Sequence, residues 1–368
     1  MSVPIIILIS TAGSFVVSII AIKLLITLSH RFKWYDDVNH RKIHSGEIPR
    51  IGGVGIFLAF GIGLLIFFIL YVATLHEHPS KTLLQYLPLA GGFVLIIIVG
   101  LADDFSNMRA RLKLVFQLAA AILVTGFGYA YRYFDLPGFD FSFSLSIFGY
   151  AFTVFWIVGM SNAMNLIDGM DGLAGGISSI AALFIGVISL IHGDSIIALF
   201  AFILFASSVG FLVFNFPPAK IFMGDSGSLF LGFVIAVLPL LKRGGPSSTY
   251  TILTVFSLMM IPILDTLDAI IRRRKKRIPF YHADQNHLHH KCLRLGFSNK
   301  KILLLVYSLT ALNGIGALLW GIFDHPLSIL ILFGCWAAVI GFFIIMCRKN
   351  SRKNGGSETQ INDIHKSQ

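Results

Sequence analysis

The chain has 368 residues, of which 56% are hydrophobic and 13% charged, and its mean hydropathy is +0.81. That balance excludes a soluble globular domain and points to a polytopic membrane protein. The formal net charge of +11 belongs to basic loops beside a lipid surface, so it carries no inference of nucleic-acid binding.

Apolar runs predict eleven spans, near 3–28, 51–75, 86–102, 113–133, 145–161, 173–191, 196–214, 227–241, 250–271, 301–322 and 327–347. The first is too long for a signal-peptide core of about 15 residues and lacks a preceding basic segment, so it is expected to remain as a helix. Of the 29 Lys and Arg, 24 lie in the alternate connections 30–50, 103–113, 162–172, 215–226 and 272–301 and in the tail from 348. The positive-inside rule then places the N-terminus outside and the C-terminus in the cytosol. The expected fold is an all-α polytopic membrane bundle, with one transmembrane catalytic domain over 1–347 and a disordered, polar cytosolic tail over 348–368. Cys292, Cys335 and Cys347 are too scattered for a disulfide framework or a CxxC metal site.

In this topology every polar cluster falls on the cytosolic face. The first loop, Arg41-Lys42-Ile43-His44-Ser45-Gly46-Glu47-Ile48-Pro49-Arg50-Ile51-Gly52-Gly53, can hold a lipid phosphate or a diphosphate; anchoring explains its charge but not its glycine pair. Asp103 and Asp104 follow the third span and precede Arg109, Arg111 and Lys113. Adjacent carboxylates can divide a divalent cation and a proton between them, while the cations meet a phosphate; a hydrated span end that caps a helix is the plainer reading.

Asn165, Asp168 and Asp171 stand among Gly169, Gly172, Gly175 and Gly176, which predicts a loop running into a helix start. Their oxygens suit Mg²⁺ or Mn²⁺, and the helix start suits phosphate. Asp225, between Gly224 and Gly227, is a further oxygen ligand, and Phe222 can stack on a base or simply pack. His282-Ala283-Asp284-Gln285-Asn286-His287-Leu288-His289-His290 follows the basic run 272–277 and can donate to phosphate oxygens. A zinc site is the competing reading, but suitable cysteine spacing and HExxH are both lacking. Pro262 is expected to bend the ninth span, with Asp265 and Asp268 below the bend.

Together, RKIHSGEIPRIGG (41–53), GLADDF with a downstream RLK (100–113), NAMNLIDGMDGLAGG (162–176), FMGDSGSLFLGF (222–233) and HADQNHLHH (282–290) resemble the polyprenyl-phosphate N-acetylhexosamine-1-phosphate transferases. The likeness runs from His44 to about Phe297 with all five motifs in order. It implies transfer of a sugar phosphate from a UDP-N-acetylhexosamine to polyprenyl phosphate, with Mg²⁺ (or Mn²⁺) as cofactor, at the cytosolic face of a bacterial inner membrane. By the same resemblance Asn165 and Asp225 are metal ligands, and Asp103, Asp104 and Lys113 serve catalysis at the lipid phosphate. Asp168, Asp171, Phe222, His287, His289 and His290, with His44 and Arg50, are then substrate-binding. Leu288 interrupts the histidine run, which resembles the GlcNAc-1-phosphate branch more than the phospho-MurNAc-pentapeptide branch; FucNAc and QuiNAc are other donors. Homodimers occur in the family.

Two other classes fit less well. NLIDGMD has the spacing of a prenyltransferase motif, but Asp265 and Asp268 do not complete the second DxxxD. An ion-coupled transporter would keep its acids nearer the midplane and show an inverted repeat.

Overall fold

The computed structural model describes the backbone of residues 2–34, 48–75, 80–136, 141–241, 249–279, 286–323 and 327–366; His44 and the stretch 280–285, with His282, lie outside them. The helices are α1 (Val3–Phe32), α2 (Gly52–Leu75), α3 (Ser80–Ser106), α4 (Ala110–Gly126), α5 (Ser146–Ile167), α6 (Leu173–Ile191) and α7 (Ser195–Asn215). They continue with α8 (Gly224–Val237), α9 (Thr249–Leu258), α10 (Met260–Lys275), α11 (Leu288–Arg294), α12 (Asn299–Phe323) and α13 (Ser328–Lys366).

Eleven spans are not confirmed. Among the described residues eight helices are long and apolar enough to cross a membrane, or nine when α9 and α10, bent by 68° at their break, are taken as one. The expected fourth and eighth spans are short helices: α4 has 17 residues and α8 has 14, extended by a tight turn at Leu238–Leu240. At a rise of about 1.5 Å per residue, 17 residues cover roughly 26 Å, less than a hydrocarbon core of about 30 Å.

All-α is also corrected. A hairpin pairs β1 (Tyr133–Leu136) with β2 (Phe141–Ser144), Tyr133 opposite Ser144 and Leu136 opposite Phe141. Gly128, at φ +97°, ends the helical path that the apolar count had carried to 133. Phe-Ser-Phe-Ser then alternates with the period of a strand.

The break before α10 lies at Leu258–Met260, upstream of Pro262. Pro262 occupies the first turn of α10, where a missing N–H costs little. The carbonyl of Ser257, freed by the break, accepts Asn313 Nδ2 from α12 at 2.8 Å. Backbone groups in hydrocarbon must be satisfied in this way.

α8 forms the centre of the bundle, every residue of it buried except Asp225. Phe230 meets Phe57, Phe60 and Phe93 edge to face, at centroid distances of 5.4, 5.5 and 5.9 Å. Around it α1, α2 and α7 approach closely, with Ser14 Oγ donating to the Ala59 carbonyl at 3.0 Å and Ser18 Oγ to that of Ser207 at 2.7 Å. Small residues and hydroxyls bring helices together where lipid removes the usual hydrophobic drive. Leu8, Leu65, Phe148, Phe155 and Leu304 point outward, as a lipid-facing surface requires.

Candidate active site

Three glycines bring the first turn of α8 against its neighbours. A Cβ on Gly53 would stand 2.1 Å from the Gly227 nitrogen, and one on Gly100 would stand 2.3 Å from Ser226 Cα. Gly224 has φ +75°, and a Cβ there would meet the Arg50 carbonyl and an Asp104 oxygen, each at 2.5 Å. Only glycine allows this approach. The segment 49–53 is then laced to the approach of α8: Phe222 N–H donates to the Pro49 carbonyl at 2.7 Å, Gly52 N–H to Phe222 at 2.9 Å and Gly53 N–H to Met223 at 2.8 Å. The glycine pair that charge left unexplained is therefore a backbone contact, and it seats Arg50 beside Asp225.

Asp104 closes the end of α8. Its Oδ1 accepts Asp225 N–H at 2.7 Å and its Oδ2 accepts Ser226 N–H at 3.0 Å. A carboxylate at two unpaired helix N–H groups is favoured by hydrogen bonding and by the helix dipole. Arg50 spans the pair, with Nη2 3.1 Å from Asp225 Oδ1 and Nε 3.6 Å from Asp104 Oδ1.

Lys113, one turn into α4, is the hub. Its ammonium donates to Asp103 at 3.0 Å and to Asn165 Oδ1 at 3.4 Å, and it also contacts Asp225 Oδ2. Asn165 in turn donates to Ser228 Oγ at 2.9 Å, which fixes the amide with its oxygen toward Lys113. Gln117 and Asn162, one turn deeper on α4 and α5, join through Asn162 Nδ2 and Gln117 Oε1 at 2.7 Å. Five elements thus converge at one end of the bundle.

Residues 168–172 link α5 to α6 as the glycines predict, although α5 continues past the expected end at 161 and takes Asn165 into its last turn. Asp171 Oδ2 accepts Ala219 N–H at 3.1 Å, and Asn215 Oδ1 accepts Gly172 N–H at 2.9 Å, so the loop is fastened to the chain leading to Phe222. Tyr307 of α12 donates to the Gly172 carbonyl at 2.5 Å. Phe222 is half-buried. Burial, opposed by Arg50 and assisted by the charges of Asp225, Asp104 and Asp171, pushes the Asp168 carboxyl up to about 7.

His287, His289 and His290 form a row beside this loop. His287 and His289 stack with centroids 6.2 Å apart, and His290 lies 4.1 Å from His289. A Cβ on Gly169 would lie 2.6 Å from His289 Nε2, so the imidazole rests on the backbone between Asp168 and Met170. Desolvation, with the neighbouring His290 adding to it, lowers the His289 imidazole to about 3.

The donors suit a hard cation. Oxygens of Asp103, Asn165 and Asp225 all address the Lys113 ammonium, a set fitting Mg²⁺ or Mn²⁺. No cluster of three His, Cys, Asp or Glu poised for a metal is formed among the described residues, and one of the donors here is an amide. Of the expected residues, Arg50, Asp103, Asp104, Lys113, Asn165 and Asp225 are joined directly, whereas Asp168, Asp171, Phe222 and the histidines line the adjoining side. Sequence reading missed Gln117, Ser228, Asn215 and Tyr307. A polar side chain inside an apolar run was the available signal for Gln117 and Asn215.

A model of glycosyl transferase family 4 matches residues 86–242. The chain is 34% identical over 324 residues to a probable undecaprenyl-phosphate N-acetylglucosaminyl 1-phosphate transferase of Bacillus subtilis, covering 87% of each chain. It is 29% identical over 288 residues to the undecaprenyl-phosphate alpha-N-acetylglucosaminyl 1-phosphate transferase of Escherichia coli K12, covering 75% of this chain and 74% of that one. A decaprenyl-phosphate N-acetylglucosaminephosphotransferase of Mycolicibacterium smegmatis is 33% identical over 298 residues, with 75% and 73% covered.

Proposed function

The chain belongs to glycosyl transferase family 4, and from that premise we propose that it moves N-acetylhexosamine 1-phosphate from a UDP-sugar to polyprenyl phosphate. An oxygen of the lipid phosphate attacks the sugar-linked phosphorus, the bond to the uridine-bearing phosphate breaks, and UMP leaves. The product is a polyprenyl diphosphate carrying the sugar.

The observation that carries this reading is the meeting of Asp103, Lys113, Asn165, Asp225 and Arg50 at one end of a lipid-embedded bundle. Phosphoryl transfer asks a protein mainly for positioning and for charge opposite the phosphate oxygens. Asn165 and Asp225 would hold the Mg²⁺, which when bound neutralises the donor diphosphate. Lys113 turns its ammonium to the acceptor phosphate, and Asp103 orients that phosphate or takes its proton. Asp104 acts through α8, because both of its oxygens are engaged there. Arg50 adds positive charge beside Asp225, and the row of His287, His289 and His290 takes the donor side with Asp168, Asp171 and Phe222.

The site faces the cytosol in this reading. Arg50, Arg109, Arg111, Lys113, Lys220 and the run Arg272–Arg277 all fall in the alternate connections that hold most of the basic residues, which supports a cytosolic side by the positive-inside rule. GlcNAc is the favoured sugar, supported by the N-acetylglucosamine in the names of the three relatives and by the His-Leu-His-His pattern at 287–290. Purified Asp225→Ala tests the assignment: it loses turnover in saturating Mg²⁺, and near wild-type turnover would overturn it.

A further inference from the structure

Asp265 has no part in the chemistry described above, yet it is fully buried in α10 and its two oxygens are directed at the histidine row. Oδ2 lies 2.6 Å from His287 Nδ1, and Oδ1 accepts Leu288 N–H at 2.7 Å. Leu288 opens α11, and the preceding His287 supplies no side-chain cap, so the carboxylate satisfies an N–H that the short helix leaves open. An ionised carboxylate only accepts, so the proton of this contact belongs to His287 Nδ1, and the second ring nitrogen, Nε2, is left for another partner.

The row continues from there. His289 is 2% exposed, neither of its ring nitrogens has a hydrogen-bond partner among the described residues, and its ring lies on Gly169. A buried imidazole with both nitrogens open, resting on the loop that carries Asp168, marks a place where an outside polar group completes the site. Asp268, one turn along α10, differs: its ion-pair partners are Arg272 and Lys291.

We propose that Asp265 is a positioning residue for the sugar-nucleotide donor, holding His287 in one tautomer and setting the start of α11 so that the histidine row faces the 168–172 loop. The inference rests on the reading of that loop as the donor side of the site. Asp265 touches no substrate; it acts through His287.

The test is steady-state kinetics of the purified full chain in lipid, with UDP-GlcNAc and polyprenyl phosphate varied separately. Asp265→Asn keeps the shape and an acceptor for Leu288 N–H but removes the charge that selects the His287 tautomer. The expected result is a KM for the donor raised by about tenfold, the scale of one charge-assisted hydrogen bond, with the KM for the lipid unchanged. In a His287→Gln background the same substitution adds less than about twofold, because the two residues act as a unit. Asp268→Asn removes a neighbouring ion pair without touching His287 and leaves the donor KM as in wild type. A purely architectural Asp265 gives a lower active fraction with both KM values unchanged, or effects that multiply in full with His287→Gln; either result overturns the proposal. If Asp265→Asn does not fold, His287→Gln alone must reproduce the donor KM effect, and a wild-type KM there overturns it as well. Wild-type protein without UMP release would remove the functional reading itself, and the inference with it.

Discussion

Asp104, at the end of α3, caps the helix that carries Asp225: its carboxylate accepts the Asp225 and Ser226 N–H groups at 2.7 and 3.0 Å across 121 residues of sequence. The acidic pair is therefore divided. Asp103 meets the Lys113 ammonium, while Asp104 faces the other way and sets the position of the carboxylate it caps.

Replacing Asp104 with Ala removes two charge-assisted hydrogen bonds from the start of α8. The expected loss is roughly 3 kcal/mol or more of local stabilisation, seen as UMP release reduced about 100-fold and as a lowered melting temperature in detergent. Unchanged melting would contradict the capping role.

The glycine contacts predict a second effect. Gly100→Ala places a methyl group 2.3 Å from Ser226 Cα, a backbone atom that cannot rotate away. Overpacking of this kind costs about 1–3 kcal/mol, and it displaces Asp225 from Lys113 and Arg50. Turnover falls by at least about tenfold, whereas Gly61→Ala, where a Cβ meets nothing within 4 Å, is neutral.

Much of this site was legible in the chain, and the reasons differ by residue. Asp103, Asn165, Asp168 and Asp225 stand out because an acid or amide beside a long apolar run is costly without a purpose. Gly52 and Gly53 were recognisable as unexplained, but the contact of Gly53 with Gly227 joins residues 174 positions apart and leaves no periodic signature. Asp265 resembled a polar residue at a span end, since nothing local reveals that His287 returns to it. The span count and the helix lengths part at α4 and α8, because hydropathy measures apolarity and not helix length. The hairpin fell almost wholly in the connection between the fourth and fifth expected spans, where its alternating phenylalanines were read as loop.

Acid pH provides a further test. His289 is lowered from the ordinary 6.5 to about 3 in the folded protein, so between those values the unfolded chain binds a proton that the folded one refuses. The contribution of His289 to stability therefore rises with pH across this window and is lost as pH falls below about 6.5, by at most about 1.4 kcal/mol per pH unit. The Asp168 carboxyl, pushed up to about 7, acts in the opposite sense over the same range, so melting temperatures from pH 7.5 to 5.0 are compared between the two proteins: wild type loses stability relative to His289→Gln as pH falls. An equal slope in both proteins would contradict the burial of a neutral imidazole.

Lys113 shares the oxygens of Asp225 and Asn165 with the proposed cation. Lys113→Met leaves Asp103 and Asp225 without their ammonium, so Mn²⁺ followed by electron paramagnetic resonance binds more tightly while turnover falls on the order of 100-fold. Unaltered Mn²⁺ affinity would show that ammonium and metal occupy separate places.

The most direct measurement is UMP release by the purified wild-type protein in lipid, with polyprenyl phosphate and a panel of UDP-N-acetylhexosamines, with and without Mg²⁺. Release that requires the lipid phosphate, the metal and a UDP-sugar, and that is fastest with UDP-GlcNAc, is the predicted result. Folded protein that releases no UMP with any donor on the panel would contradict the account.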